Sequence, residues 1–401
     1  AFPPHSLRVR RATPRANLPP SEIPSMPTPT PVVVLGTGRI GTLVTQLLAA
    51  SGDYAVTAVD ASPRAAEAAV RGADDQNVPG ATARAADIAR PEALAEVVAG
   101  QAYLVSCAPY FLNVGIAEAA AAAGAHYLDL TEDVRVTQAV RRMADGAATA
   151  FIPQCGLAPG FISIVAHHLA RDFESLQSVQ LRVGALPIYP NNRLKYNLTW
   201  STDGLINEYG NPCEAIVGGQ LAQLAPLEGY ERFSLDGVEY EAFNTSGGLG
   251  TLCETLQGRV RDLDYKTIRY PGHRDIMALL MNDLGLNHDR PTFKRILESA
   301  VPHTYQDVVV VMVSVVGRRR GELAQETIAR KIYAGDAVGR RWGAIQLTTA
   351  SGLCAVLDLH RAGKLPAAGF VRQEDVAYPD FMANRFGRHY DAGHMVWEVD
   401  V

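Results

Sequence analysis

The sequence is poor in the features that mark several protein classes. Its 401 residues hold only five cysteines, Cys107, Cys155, Cys213, Cys253 and Cys354, with no CxxC pair. That scatter excludes a cysteine zinc site and a disulfide framework, and predicts a cytoplasmic protein without a metal. No apolar run approaches the ~18–20 residues that span a bilayer, so no membrane partner is expected. Charge of one sign is also lacking. A net charge of −5 gives no electrostatic reason for nucleic acid to bind. No internal repeat or low-complexity stretch follows residue 30.

What is present is an ordinary globular balance, 47% hydrophobic and 20% charged, in a chain too long for one core. Residues 1–30 stand apart, with Arg8, Arg10, Arg11 and Arg15 against one acid, Glu22, and many prolines. They read as a disordered or non-native extension ahead of Met26, although a transit peptide has the same composition. From residue 32 strands and helices alternate through residue 152, which predicts a doubly wound parallel sheet over residues 31–155. Beyond residue 160, longer strands are expected at 179–186, 196–201 and 308–316, and helices at 275–284, 292–299 and 346–362. This predicts a second α/β domain with a mixed sheet over 156–340 and a helical segment, 341–401, packed back on the first domain.

The first turn reads Gly36-Thr37-Gly38-Arg39-Ile40-Gly41. It follows an apolar strand, 32–35, and opens a helix. Gly36 permits the tight turn, Gly38 lets a pyrophosphate approach the backbone, and Gly41 lets helix and strand pack closely. Arg39 and Ile40 belong to the same cradle. Asp60 ends the second strand 19 residues after Gly41, where a carboxylate bonds the adenine ribose. The expected cofactor is therefore NAD, with NADP possible because Arg64 lies nearby. Asp87 after the third strand can approach the adenine or cap a helix. Ala108, Pro109 and Tyr110 end a later strand, and Cys155 and Gly156 end the sixth, all at the edge where such sheets bind ligands.

Several segments together are similar to the saccharopine dehydrogenase family: VVVLGTGRIG (32–41), SCAPY (106–110), HYLDLTED (126–133), CGLAPGF (155–161), YNLTWSTDGLINEY (196–209) and LDYKTIRYPGH (263–273). The resemblance implies a nicotinamide-dependent oxidoreductase acting on the carbon–nitrogen bond of a lysine-derived amine. Saccharopine, cleaved to 2-aminoadipate semialdehyde and glutamate, is the first expected substrate; lysine, deaminated to the same semialdehyde, is the second. It also implies a substrate-binding and oligomerisation domain and a homodimer. Asp203 departs from the family pattern, in which an arginine follows the tryptophan and serines. A non-catalytic NAD-sensing module is the reading from another class.

Either substrate is an amino acid, so a carboxylate grip is needed. Arg269 offers a two-point fork, with Lys266 close in sequence and Arg193 and Lys195 upstream. Asp203 is expected to face the substrate. Losing hydride from a carbon beside nitrogen requires a neutral nitrogen, so a base is needed as well. Asp129, Tyr110 and His273 are the catalytic residues expected by type, with Tyr110 also touching substrate.

Overall fold

The computed structural model describes residues 28–391. The expected extension, apart from residues 28–30, lies outside them. The described chain opens with five strand–helix repeats and a sixth strand: β1 (Thr30–Leu35), α1 (Arg39–Ala50), β2 (Tyr54–Asp60), α2 (Pro63–Ala69), β3 (Ala81–Ala85), α3 (Pro91–Val98), β4 (Tyr103–Ser106), α4 (Asn113–Ala123), β5 (His126–Asp129), α5 (Val134–Ala144) and β6 (Ala150–Ile152). β1 and β4 are fully buried over Val32–Leu35 and Tyr103–Ser106, as strands covered by helices on both faces must be.

α6 (Phe161–Ala170) leads into the second sheet. Its parts are β7 (Ser175–Pro187), α7 (Thr202–Gly210), β8 (Cys213–Val217), β9 (Gln220–Leu224), β10 (Glu231–Leu235), β11 (Val238–Asn244), α8 (Leu252–Leu256), β12 (Val260–Arg269), α9 (His273–Ala278), α10 (Arg290–Ala300), β13 (Asp307–Arg319) and β14 (Glu322–Tyr333). A small hairpin, β15 (Gly335–Ala337) and β16 (Arg340–Trp342), precedes the long helix α11 (Ala344–Arg361). β17 (Gly369–Phe370) and α12 (Tyr378–Ala383) follow.

The first sheet runs β3-β2-β1-β4-β5-β6-β17, and all its pairings are parallel. The strand order reverses at β1/β4, which opens a crevice beyond their carboxyl ends. The seventh strand, β17, is contributed by the C-terminal part of the chain. The second sheet runs β10-β11-β12-β7-β13-β14, with β8 joined to β12 and β9 joined to β8. It is mixed: β7 and β12 are parallel, and the other neighbours are antiparallel. The architecture is thus a Rossmann-type parallel sheet plus a mixed-sheet α/β domain. One continuous core runs from Val44 and Leu47 of α1 through Leu353 and Leu357 of α11 and Ile164 of α6 to Val311 and Val313 of β13. Among the described residues no helix is long and apolar enough to cross a membrane.

Two local expectations differ from what forms. Residues 196–201 make no strand; Leu198 alone bridges His303. Tyr196 and Leu198 are both buried in a cluster with Phe243 and Phe293, so their apolar spacing reflects packing under α7 and α10 and not a ladder. The expected helix at 275–284 is two pieces, α9 and a wider turn at Leu279–Asp283.

Candidate functional site

The cofactor turn fits its ligand for reasons visible atom by atom. Gly36 has φ +90, a conformation that side chains resist, and an added Cβ would stand 2.9 Å from the Ala108 nitrogen. A Cβ on Gly41 would fall 1.9 Å from the Gly36 carbonyl oxygen, so helix and strand need glycine there. A Cβ on Gly38 would meet nothing within 4 Å. That glycine is not needed for packing; it keeps a space clear above the start of α1, whose first turn no side chain caps. Open N–H groups at the positive end of a helix suit a pyrophosphate. Asp60 accepts from the Thr37 N–H at 2.9 Å, from the Thr37 hydroxyl at 3.0 Å and from the Ser62 N–H at 2.9 Å. Burial opposes its charge, but the N–H groups of Ser62 and Thr37 hold its carboxyl below the usual range. It stands ionised beside the turn, as ribose recognition requires. These residues fit a nicotinamide dinucleotide.

In front of the turn lies a cleft of about 530 Å³ between the two sheets. Gly38, Arg39, Ile40 and Gly41 line it from one side, with Ala108, Pro109, Tyr110 and Gly156 beside them. Tyr265, Thr267 and Arg269 of β12 close the far side, with Trp200, Asp203 and Glu208. Of these, Gly38 to Gly41, Ala108, Pro109, Tyr110, Gly156, Asp203 and Arg269 are residues expected from the sequence to serve cofactor or substrate, brought together from two domains.

Others stand elsewhere. Asp129 is fully buried and turned inward, accepting from the Tyr127 hydroxyl at 2.7 Å, the Thr131 N–H at 3.0 Å and the Gln154 N–H at 2.9 Å. Burial pushes its carboxyl up to about 6, and its three donors brace the end of β5 against the segment that follows β6. Cys155 lies behind the wall, its thiol donating to the Ile152 carbonyl at 3.0 Å. Asp87 is exposed and closes its own turn by accepting from the Ala89 N–H at 3.1 Å. Lys266 points through the opposite face of the sheet to Glu231 at 2.8 Å. Strand alternation is the cause: 266 and 269 have opposite parity. Lys195 donates to the Pro271 carbonyl at 2.9 Å. Asp203 lies on the rim and pairs with Lys294 at 2.6 Å.

His273 does not face the cleft. Its Nδ1 donates to the Leu194 carbonyl at 2.9 Å, and its Nε2 accepts from the Tyr209 hydroxyl at 3.1 Å. Burial, then the neighbouring Arg269, pushes its pKa down to about 3, so it is neutral. The Tyr209 oxygen in turn accepts from Arg269 Nε at 2.7 Å. His273 and Tyr209 thus hold Arg269 in place. Arg269 is 2% exposed, and its remaining protein bond goes to the Ile268 carbonyl at 2.8 Å. No carboxylate among the described residues pairs with it.

Two residues that no sequence expectation named also line the cleft, Glu132 and Glu208. Burial pushes Glu132 up to about 7; burial and the charge of Glu132 push Glu208 up to about 8. Both sit in segments already singled out, 126–133 and 196–209. Glu208 was findable: it lies four residues after Gly204, one helical turn, whereas Asp203 is rotated toward the rim.

Two family models tile the chain. The saccharopine dehydrogenase NADP binding domain matches residues 32–152, and the saccharopine dehydrogenase C-terminal domain matches residues 156–388. The mitochondrial alpha-aminoadipic semialdehyde synthase of Bos taurus is 22% identical over 330 residues, covering 76% of this chain and 34% of that protein. The protein of the same name from Rattus norvegicus is 21% identical over 328 residues, covering 75% and 34%. The chain therefore spans about a third of the length of these relatives. Among solved structures, the apo saccharopine dehydrogenase (L-Glu forming) from Saccharomyces cerevisiae superposes with a TM-score of 0.70 at 16% identity, covering 88% of this chain and 96% of that one, a likeness of fold. NAD(P) is the cofactor that the first domain's match and its turn geometry agree on. The chain belongs to the saccharopine dehydrogenase family.

Proposed function

We propose that this chain is an NAD(P)-dependent oxidoreductase that acts on the carbon–nitrogen bond of a lysine-derived amine in lysine metabolism. The observation that carries the reading is Arg269. A buried guanidinium without a carboxylate partner is costly, by several kcal/mol on general grounds, and natural proteins keep such a group where a ligand completes it. The α-carboxylate of an amino acid is a matching ligand for its free N–H groups. The family membership and the names of the mitochondrial relatives support the same substrate class.

When bound, the dinucleotide supplies the hydride acceptor. The Gly36–Gly41 turn and the start of α1 would hold its pyrophosphate, Asp60 its adenine ribose, and Ala108, Pro109 and Gly156 would wall the cleft beside it. Arg269 orients the amino acid from the opposite side, and Tyr110 lines the same cleft.

Saccharopine and lysine both fit this reading. Saccharopine is supported by the family's name. The acidic side chains of the walls favour lysine: Glu132, Asp203, Glu208 and Glu298 outnumber Arg39 and Arg269, and Glu132 and Glu208 can take protons from an ammonium. Such a cleft welcomes an ammonium and one carboxylate more readily than three carboxylates. The test is purified protein with NAD⁺ or NADP⁺, offered L-lysine and saccharopine, with reduced cofactor followed by absorbance. Reduction dependent on either amino acid supports the proposal, and the preferred one names the substrate. Tight dinucleotide binding with no reduction by either would overturn it in favour of a sensing module.

A further inference from the structure

Among the described residues five acidic side chains are buried: Asp129, Glu208, Glu241, Asp307 and Glu374. Four of them are held by donors. Asp129 accepts the bonds given above. Glu241 accepts from the Gly272 and Arg274 N–H groups at 2.7 and 2.6 Å, Asp307 from those of Ala344 and Ile345 at 2.6 and 3.0 Å, and Glu374 from the hydroxyls of Thr251 and Thr255 at 2.8 and 3.0 Å. Glu208 is different. Its carboxyl has no hydrogen bond or ion pair among the described residues, and it opens on the cleft.

Glu132 shares this condition from the other domain. It sits between β5 and α5, and its carboxyl meets no donor but its own backbone N–H. Its Oε1 lies 3.2 Å from the point where a Cβ on Gly204 would stand, one helical turn before Glu208. Two unpartnered carboxyl groups therefore face the same space, one from each domain. Around them stand Asp129 and Asp133 on the cofactor side, Arg269 and Tyr265 on β12, Tyr196, Tyr209 on α7 and Cys213 on β8. Arg269 is the one cation in this group.

We propose that Glu132 and Glu208 act as one proton-handling pair, taking a proton from the substrate nitrogen and a second from the water that hydrolyses the imine. This rests on the function proposed above. The substrate enters as an ammonium. One carboxylate takes an N–H proton, leaving a lone pair on nitrogen. A hydride then leaves the adjacent carbon for the nicotinamide, and a C=N bond forms. Water adds its oxygen to that carbon while its second proton goes to the other carboxylate. The first carboxyl returns its proton to nitrogen and takes the new hydroxyl proton as the C–N bond breaks. The products are an aldehyde, a free amine and reduced cofactor. Two protons remain on the pair; one leaves with the amine as ammonium and one goes to solvent.

The pair has a signature that a structural role would not produce. With both groups raised by burial, Glu208 also by its neighbour's charge, kcat/KM should rise with pH through two ionisations around pH 7–8. The assay uses protein saturated with NAD⁺ or NADP⁺ and either L-lysine or saccharopine. Glu132→Gln and Glu208→Gln should each lower kcat/KM by about 100-fold, a usual scale for a lost general base. In Glu132→Gln the remaining ionisation should move to lower pH, because the repelling charge is gone. A direct proton titration of the folded protein between pH 6 and pH 9 gives a readout free of turnover. The double variant Glu132→Gln/Glu208→Gln should release two fewer protons than wild type. Both variants should keep the wild-type circular dichroism, since neither carboxyl holds a neighbour in place; loss of the fold would overturn the proposal. So would kcat/KM within twofold of wild type, an unmoved pH profile in Glu132→Gln, or an unchanged proton count. If neither amino acid reduces the cofactor, the proposed function falls. The titration still decides the pair in that case: two missing protons keep it, and an unchanged count removes it.

Discussion

Two arginines on neighbouring strands of the mixed sheet have opposite surroundings. Arg182 on β7 is 1% exposed and Arg269 on β12 is 2% exposed. Arg182 uses all of its donors. Nε meets Glu231, Nη1 meets the Leu181 carbonyl and Asp264, and Nη2 meets Glu231 and Asp264 again. Lys266 completes that network from the same face, opposite Arg182 in register. Arg269, on the other face, uses only Nε and Nη1. Equal burial with unequal completion separates a structural cation from a receptive one. The same contrast divides the glycines of the cofactor turn: around Gly41 the space is filled by protein, and around Gly38 it is empty.

The largest expected effect follows from that emptiness. Gly38→Val should abolish dinucleotide binding and leave the melting temperature near wild type, because its Cβ meets no protein atom within 4 Å and its branches would fill ligand space. Gly41→Ala should instead fail to fold well, its Cβ colliding with the Gly36 carbonyl. Cofactor titration and thermal melting read the two apart. Equal behaviour of the two variants would break the comparison. Next come the arginines. Arg269→Met should lower kcat/KM about 10- to 100-fold, the worth of a charge-assisted bond of ~1.5–3 kcal/mol, with little loss of stability. Arg182→Met should do the reverse. It should cost about 2–4 kcal/mol in chemical denaturation by stranding Glu231 and Asp264, and keep kcat/KM within twofold. An Arg269 variant that loses several kcal/mol of stability while its folded fraction keeps wild-type kcat/KM would show that Arg269 is structural after all.

A smaller effect concerns stability against pH. The folded state raises Glu208 from the ordinary glutamate range to about 8, with burial as the first cause and Glu132 as the second. A raised carboxyl keeps its proton in the folded chain where the unfolded chain has lost it. Its cost is therefore absent below about pH 4.5 and accumulates as pH rises toward 8. Glu208→Gln removes that cost. Its melting temperature should match wild type near pH 5 and exceed it by a few degrees near pH 8.5, on the order of 1–2 kcal/mol after allowance for relaxation. Parallel melting curves at both pH values would mean that Glu208 is solvated in the cleft.

The parallel sheet was legible because its central strands β1 and β4 are buried apolar runs and its turn has a glycine spacing that few other structures need. β13 was legible for the same reason, being nearly all valine and buried. β14 was not. Its residues Glu322–Tyr333 alternate between exposed and half-buried, as an edge strand covered on one side must, and they carry no apolar run. The site was legible by segment and not by residue. Stretch 126–133 holds both Asp129 and Glu132, and their sequence positions do not separate them; the donors around fully buried Asp129 mark it as a brace, while half-buried Glu132 opens on the cleft. For Lys266 the parity of the strand was already in the sequence, three residues from Arg269, and pointed it away from the cleft.

The rim of the cleft offers the finest test, because it separates the two substrates. Asp203 begins α7 and pairs with Lys294 of α10 at 2.6 Å, both partly exposed. Exposed pairs of this kind contribute ~0–1 kcal/mol, so Asp203→Asn should leave stability almost unchanged. Its consequence lies in charge. With Asp203 in place, Lys294 is occupied and the rim disfavours a second carboxylate. With asparagine there, Lys294 is free to meet one. Saccharopine carries two carboxylates beyond the one assigned to Arg269, whereas lysine carries none. Asp203→Asn should therefore raise kcat/KM for saccharopine relative to lysine by about 2- to 5-fold, matching an exposed-pair energy of up to ~1 kcal/mol. The gain should shrink as salt is added, since the rim is open to solvent. A ratio that does not move, at low salt and high, would place the distal end of the substrate away from α7 and α10, and would leave Glu208 as the part of α7 that touches it.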